Sequence, residues 1–232
     1  MMHPHLTLNG KRLTTPRAAA IAGILFAILF TTSVVLIRTS LPNSPLDHGL
    51  WQANGVSRVR LALGLMPFAG IAFLWFVGVV RDRLGAFEDQ FFSTVFYGSG
   101  LLFLAMIFAA SAIAGGIAIS YATSPNEFIT GEVYLFGRSV MSQFFTIYAL
   151  RMAGVFVISL GTIWLRTGLM PRWLSFVTYL FALALLVSTT LNMWMVLVFP
   201  AWVLIISVYI LILNLKRHPS GAADGMTVAG NE

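Results

Sequence analysis

Apolar residues fall into six long stretches, at about 18–37, 61–80, 91–121, 139–165, 173–193 and 199–215. Short clusters of arginine, lysine, acidic residues, proline and glycine separate them. Within each stretch the apolar residues are continuous, neither alternating nor confined to one helical face. That is the pattern of helices bathed in oil on every side. At 1.5 Å of rise per residue, about 20 residues cross the ~30 Å hydrocarbon layer. The pattern predicts an all-α fold, a polytopic membrane helix bundle of six transmembrane helices in one domain, 18–217. A basic tail, 1–17, precedes the bundle, and a polar, disordered tail, 218–232, follows it. The first stretch exceeds a signal-peptide core, and no small-x-small cleavage site follows it before Pro42, so it is expected to stay as an anchor.

Two stretches carry internal detail. The third, Phe91 to Tyr121, is too long for the hydrocarbon, and its first turns are expected along the interface. It holds small residues at helical spacing, Ala105, Ala109, Ala112 and Gly116, with Ser111 and Gly115 one face over. Such spacing lets helices approach closely, first within the chain and alternatively as a homodimer seam. The fourth, Ser139 to Leu165, contains one charge, Arg151. Only 14 residues separate Arg151 from Arg166, too few for a crossing, so Arg151 belongs inside the fourth helix rather than in a loop. The many Phe, Ile, Leu and Val residues around it outweigh the insertion penalty of a single arginine. Pro67 marks a kink in the second stretch, and Pro200 suits the first turn of the sixth.

Composition agrees with the pattern. Only 9% of the residues are charged, against about 25% in soluble domains, and mean hydropathy is +0.87. With no cysteine, disulfides, thiol redox chemistry and cysteine metal sites are excluded. The formal charge of +6 lies mostly at the ends of the apolar stretches, where topology signals sit, and argues against nucleic-acid binding. With six crossings, nine basic residues fall on the side of the termini: Lys11, Arg12, Arg17, Arg81, Arg83, Arg166, Arg172, Lys216 and Arg217. Four fall on the other: Arg38, Arg58, Arg60 and Arg138. The positive-inside rule then places both termini in the cytoplasm, with the chain in a plasma membrane.

Away from their ends, none of the six stretches contains Asp, Glu, Lys or His. An intramembrane hydrolase, a proton relay and a histidine-ligated haem are disfavoured on that ground, and no cofactor or metal is called for. His3 and His5 belong to a tail, and Asp47 beside His48 reads as turn chemistry. Arginine stays charged at any accessible pH, so Arg151 requires a counterpart. Tyr148, Ser159 and Thr162 fall on roughly its helical face, with Gln143 further round. Ser188, Thr189, Thr190 and Asn192 offer neutral acceptors, and Glu127 or Glu132 would have to fold in from outside to pair with it. Arg151 is expected either to bond helix carbonyls and hydroxyls or to bind an anion, a lipid phosphate or a small carboxylate.

Gly78-Val79-Val80-Arg81-Asp82-Arg83-Leu84-Gly85 lies between the second and third stretches and resembles the G-x-x-x-D-R-x-G loop of major facilitator superfamily transporters. The resemblance implies gating pairs made by Asp82 and Arg83. The basic residues that continue that motif are replaced here by Ala86 and Phe87, and local pairing of Arg81 and Arg83 with Glu88 and Asp89 makes a charged cytoplasmic turn the simpler reading.

Phe73 to Gly85, Glu88-Asp89-Gln90-Phe91-Phe92, Thr94-Val95-Phe96 and Gly168-Leu169-Met170-Pro171-Arg172-Trp173-Leu174 are similar to a family of bacterial, especially actinobacterial, six-span membrane proteins. The resemblance covers about a third of the chain and implies fold and origin, with no activity attached. The expectation is a non-enzymatic integral membrane protein that packs against a partner or binds an anion near Arg151. A small-solute permease acting as a homodimer is the alternative, and an intramembrane enzyme is the least favoured. The expected partners are membrane lipids, with a homodimer or a larger membrane complex as protein assemblies.

Overall fold

The computed structural model describes residues 16–40, 54–84, 90–123, 132–168, 170–187 and 193–216, which are helical almost throughout. Residues 1–15 of the N-terminal tail, the C-terminal tail, Asp47–His48, Glu127, Gly85 with Glu88 and Asp89, and Ser188–Asn192 lie outside the described residues. The helices are α1 (Pro16–Ser40), α2 (Gly55–Leu84) and α3 (Gln90–Thr123), then α4 (Glu132–Thr167). They are followed by α5 (Arg172–Val187) and, after a 3₁₀ turn Met193–Leu197, α6 (Val198–Lys216). Among the described residues no strand is present.

Five segments are long and apolar enough to cross a bilayer: α1, α2, α3, α4, and Trp194–Leu213 across the 3₁₀ turn and α6. This is the build of a multi-pass membrane protein. Of the fifth expected span, 173–193, the described helix has 16 residues, about 24 Å of rise, and reaches Val187, beyond which 188–192 lie outside the described residues.

The other helices outrun the apolar stretches. α2 starts six residues before Leu61 and keeps Arg81, Asp82 and Arg83 in its last turn, so the first part of the transporter-like motif is helix and not loop. α4 starts at Glu132, inside what the sequence marks as an outside connection. Glu132 in the first turn suits the positive end of the helix dipole, and the Arg138 guanidinium donates to the Tyr134 hydroxyl one turn back at 3.4 Å. Polar residues that find partners within their own helix let it continue beyond the oil. α4 stops at Gly168, whose φ of 65° is the left-handed cap glycine adopts freely, and its N–H bonds the Trp164 carbonyl at 3.0 Å. Pro200 falls in the first turn of α6, and α2 runs unbroken through Pro67.

Consecutive helices pack side by side, and α6 returns against α1 to close the ring. The pairing is antiparallel. Phe26 meets Phe73 while Gly23 faces Phe76. Gly70 faces Phe108 and Gly115 faces Leu63. Gly100 faces Phe156 and Gly137 faces Ile117. Gly154 faces Leu186 and Gly161 faces Thr178. Trp202 reaches Thr178 while Tyr209 meets Trp173. Arg17, Arg81, Arg166, Arg172 and Lys216 are thereby gathered at one end of the bundle, and Arg38, Arg58, Arg60 and Arg138 at the other.

The axis is filled by aromatic rings. Phe26, Phe73, Phe103, Phe156 and Phe199, one each from α1, α2, α3, α4 and α6, are all fully buried. Phe73 lies at their centre, with ring centroids of Phe26, Phe156, Phe103 and Phe199 at 4.9, 5.3, 5.6 and 5.7 Å. The tilted and edge-on arrangements are those the ring quadrupoles favour. Trp202 extends the cluster from Phe199 to Trp164 and donates its indole N–H to Thr178 at 3.3 Å.

Hydrogen bonds fix α5. The Thr162 and Tyr179 hydroxyls are 2.8 Å apart, joining α4 to α5. Tyr179→Phe is expected to lower stability by about 0.6–1.7 kcal/mol, the range for one interhelical hydrogen bond in a membrane. Reversible unfolding in mixed micelles would measure it, and no loss would mean that α5 is held by packing alone.

Candidate functional site: a cation at mid-depth

Arg151 lies on α4, 13 residues from Arg138 and 15 from Arg166, roughly 20 Å and 22 Å along the helix. Just before it the helix changes hand-hold: Phe144–Ala149 is a π-helical turn between the α-helical halves Glu132–Gln143 and Leu150–Thr167. Such turns bond i→i+5 and disturb the carbonyl ladder where they end. Here the Leu150 N–H takes the Ile147 carbonyl, a contact three residues back instead of four. The Arg151 Nη1 donates to the same oxygen at 3.1 Å. Long helical side chains lean toward the helix N-terminus, and this bond shows Arg151 doing so. Its guanidinium is drawn toward the end of the bundle that carries Arg38, Arg60 and Arg138.

The polar residues expected around Arg151 are spread apart. Arg151 itself is half-buried, Gln143 is exposed, Tyr148 is 54% exposed and Ser159 is 3% exposed. Thr162 is taken up by the Ile158 carbonyl and by Tyr179. Helical periodicity assigns an azimuth, while neighbouring helices decide which heights are covered. α5 lies against α4 from Gly161 up to Gly154, and Ser159 is buried on another face of α4. Tyr148 and Gln143 stand beyond the Leu186–Gly154 contact. Among the described residues the Ile147 carbonyl is the hydrogen-bond partner of Arg151. A guanidinium has five N–H donors, and one is engaged there.

Other arginines meet aromatic rings. Arg81 lies over Tyr97, 5.1 Å from the ring centroid, and Arg166 over Phe92 at 4.7 Å. Of the cytoplasmic-loop candidates, Asp82 is exposed at the end of α2 and Arg83 belongs to the same helical turn. The described carboxylates, Asp82 and Glu132, therefore stand at helix ends, far along the chain from Arg151. Among the described residues no group of three His, Cys, Asp or Glu is placed to hold a metal ion.

The sequence offered no signal for the π turn or for the Ile147 carbonyl, since backbone acceptors carry no side-chain signature. Tyr97 and Phe92 as platforms for Arg81 and Arg166 were legible only in part, as aromatics close to the ends of apolar stretches. The expected small-residue stripe is displaced by one face. Gly115 packs on α2 against Leu63 and Ser111 is buried, whereas Ala105, Ala112 and Gly116 look outward.

The fold is that of a helical multi-pass membrane protein, and Arg151 falls in the middle of a helix long and apolar enough to cross a bilayer. No family model, curated protein or solved structure matches the chain.

Proposed function

We propose that this is a non-enzymatic, multi-pass protein of a bacterial plasma membrane, with both termini cytoplasmic, that engages an anion at Arg151. The ligand chemistry is a lipid phosphate or a small carboxylate. One observation carries the reading: a half-buried arginine deep within α4, tied among the described residues to a single carbonyl at the end of a π turn. Charged groups are tolerated at that depth where they are matched, and an anion would match it by charge-assisted hydrogen bonds. The lean of Arg151 toward the Arg138 end favours a ligand that enters from the outer leaflet. π turns are often found at functional sites, and this one presents the charge beyond the part of α4 that α5 covers. Two terminal basic clusters, the richer one at the end shared by α1 and α6, support cytoplasmic termini.

A permease needs a polar path. The axis of the single chain is packed with phenylalanine, so a path would have to run between two copies. Packing against a partner protein has no such obstacle, but the Arg151 geometry speaks for an anion.

Native mass spectrometry of the purified chain tests the reading, with phosphatidylglycerol and succinate as separate additions. Arg151→Ala is expected to lose adducts of one of the two by about tenfold or more, the scale of one charge-assisted hydrogen bond. Loss confined to phosphatidylglycerol assigns a lipid, and loss confined to succinate assigns a free carboxylate. Equal adducts in both proteins overturn the proposal.

A further inference from the structure

We infer a second, separate anion seat: the Arg81–Tyr97 pair, at the end of the bundle opposite Arg138, holds the phosphate of an anionic phospholipid in the adjoining leaflet. Arg81 stands in the last turn of α2 and is exposed, and its guanidinium lies over the Tyr97 ring on α3 at 5.1 Å. Tyr97 is six residues into the apolar part of α3 from Phe91. On a helix that descends toward this end, the arginine side chain leans back toward the oil, as side chains leaning N-terminally must. The ring covers one face of the guanidinium and so restricts it, while its in-plane N–H donors have no hydrogen-bond partner among the described residues. A lone surface arginine would sample many rotamers, and that ordering entropy is already lost here.

The surroundings fit a lipid rather than a free ion. Gly78, one turn back from Arg81 on α2, and Gly98, next to Tyr97 on α3, both have open space where a Cβ would stand. The neighbouring surface is apolar and outward-facing, with Leu74 and Leu101 at 40% and 39% exposure. An acyl chain can lie along that recessed surface below a headgroup held by Arg81. The basic end supplies the long-range attraction, since Arg17, Arg166, Arg172 and Lys216 share it. Asp82 is the described carboxylate beside the seat and opposes it, so the test must separate a built seat from diffuse charge.

Native mass spectrometry of the full chain titrated with phosphatidylglycerol or phosphatidylcholine would read the seat, with Arg17→Gln as the charge-matched control. Arg81→Gln is expected to weaken phosphatidylglycerol binding about fivefold relative to Arg17→Gln, the scale of one surface cation acting on an anionic lipid. Gly78→Leu, which keeps every charge and fills the recess, is expected to weaken it as well, and the loss in Arg81→Gln is expected to be the same size in an Arg151→Ala background. Equal losses in Arg81→Gln and Arg17→Gln, an unaltered Gly78→Leu, or equal binding of the two lipids would each overturn the inference. Failure here leaves the Arg151 reading untouched, because that reading predicts loss only in Arg151→Ala.

Discussion

Phe73→Ala is expected to destabilise the bundle by about 3–5 kcal/mol, the range for truncating a buried phenylalanine. Phe73 is fully buried and touches rings from four other helices, so its removal leaves a cavity that no single neighbour can fill. In lipid the transfer component is weaker than in water, because acyl chains are as apolar as the ring. The cavity and lost dispersion contacts remain, which places the expectation at the lower end of the range. Reversible unfolding in mixed micelles checks it, with Phe68→Ala as a control on the same helix, 61% exposed and expected to change little. If the two variants lose the same amount, the central rings do not hold the helices together. The result also bears on transport, since a path through the single chain would have to displace these rings.

The sequence and the structure agree where hydrophobic length decides and part where tertiary contact decides. α1, α3 and α6 fall close to the apolar stretches, because an apolar run of that length has no other stable arrangement in a bilayer. The turn after α4 was legible too, as Gly168 with Pro171 and two arginines is a helix stop in any solvent. The start of α4 was not. A hydropathy reading ends helices where charge appears, but the backbone of Glu132–Gln143 continues through Arg138, which bonds its own neighbour Tyr134. The described part of α5 ends at Val187, and the last residues of the expected stretch, 188–192, lie outside the described residues.

At the site, Arg151 itself was conspicuous as the lone charge in an apolar run. Its partner was not, because 100° per residue holds only for an uninterrupted α-helix and the turn before Arg151 is wider. Counting offsets grouped Tyr148 with Ser159, whereas the packed bundle leaves Tyr148 exposed and Ser159 buried. Arg81 shows the same limit. The expected local partners of Arg81, Glu88 and Asp89, lie outside the described residues, and the sequence did not signal that its guanidinium lies on an aromatic ring of the next helix.

Where the ring closes, Gly23→Ala is expected to cost about 1–3 kcal/mol, the usual price of overpacking. A Cβ at position 23 would overlap the Ser207 hydroxyl of α6 and come within 2.9 Å of the Phe76 ring and 3.1 Å of the Ser207 Cβ. Ser207 is fully buried, and its hydroxyl has no hydrogen-bond partner among the described residues. Ser207→Ala alone should therefore be neutral or slightly stabilising, because it removes a polar atom that gains nothing from burial. Combined with Gly23→Ala it also removes the worst overlap, so the double variant should lose less than Gly23→Ala by itself. The coupling is expected at about 0.5–3 kcal/mol, as for residues in direct contact, and a double-mutant cycle in mixed micelles measures it. Strict additivity would mean that α6 does not rest on α1 at this point. The ring of helices would then be open between its first and last members, and Phe199 would reach the central rings by some other seating of α6.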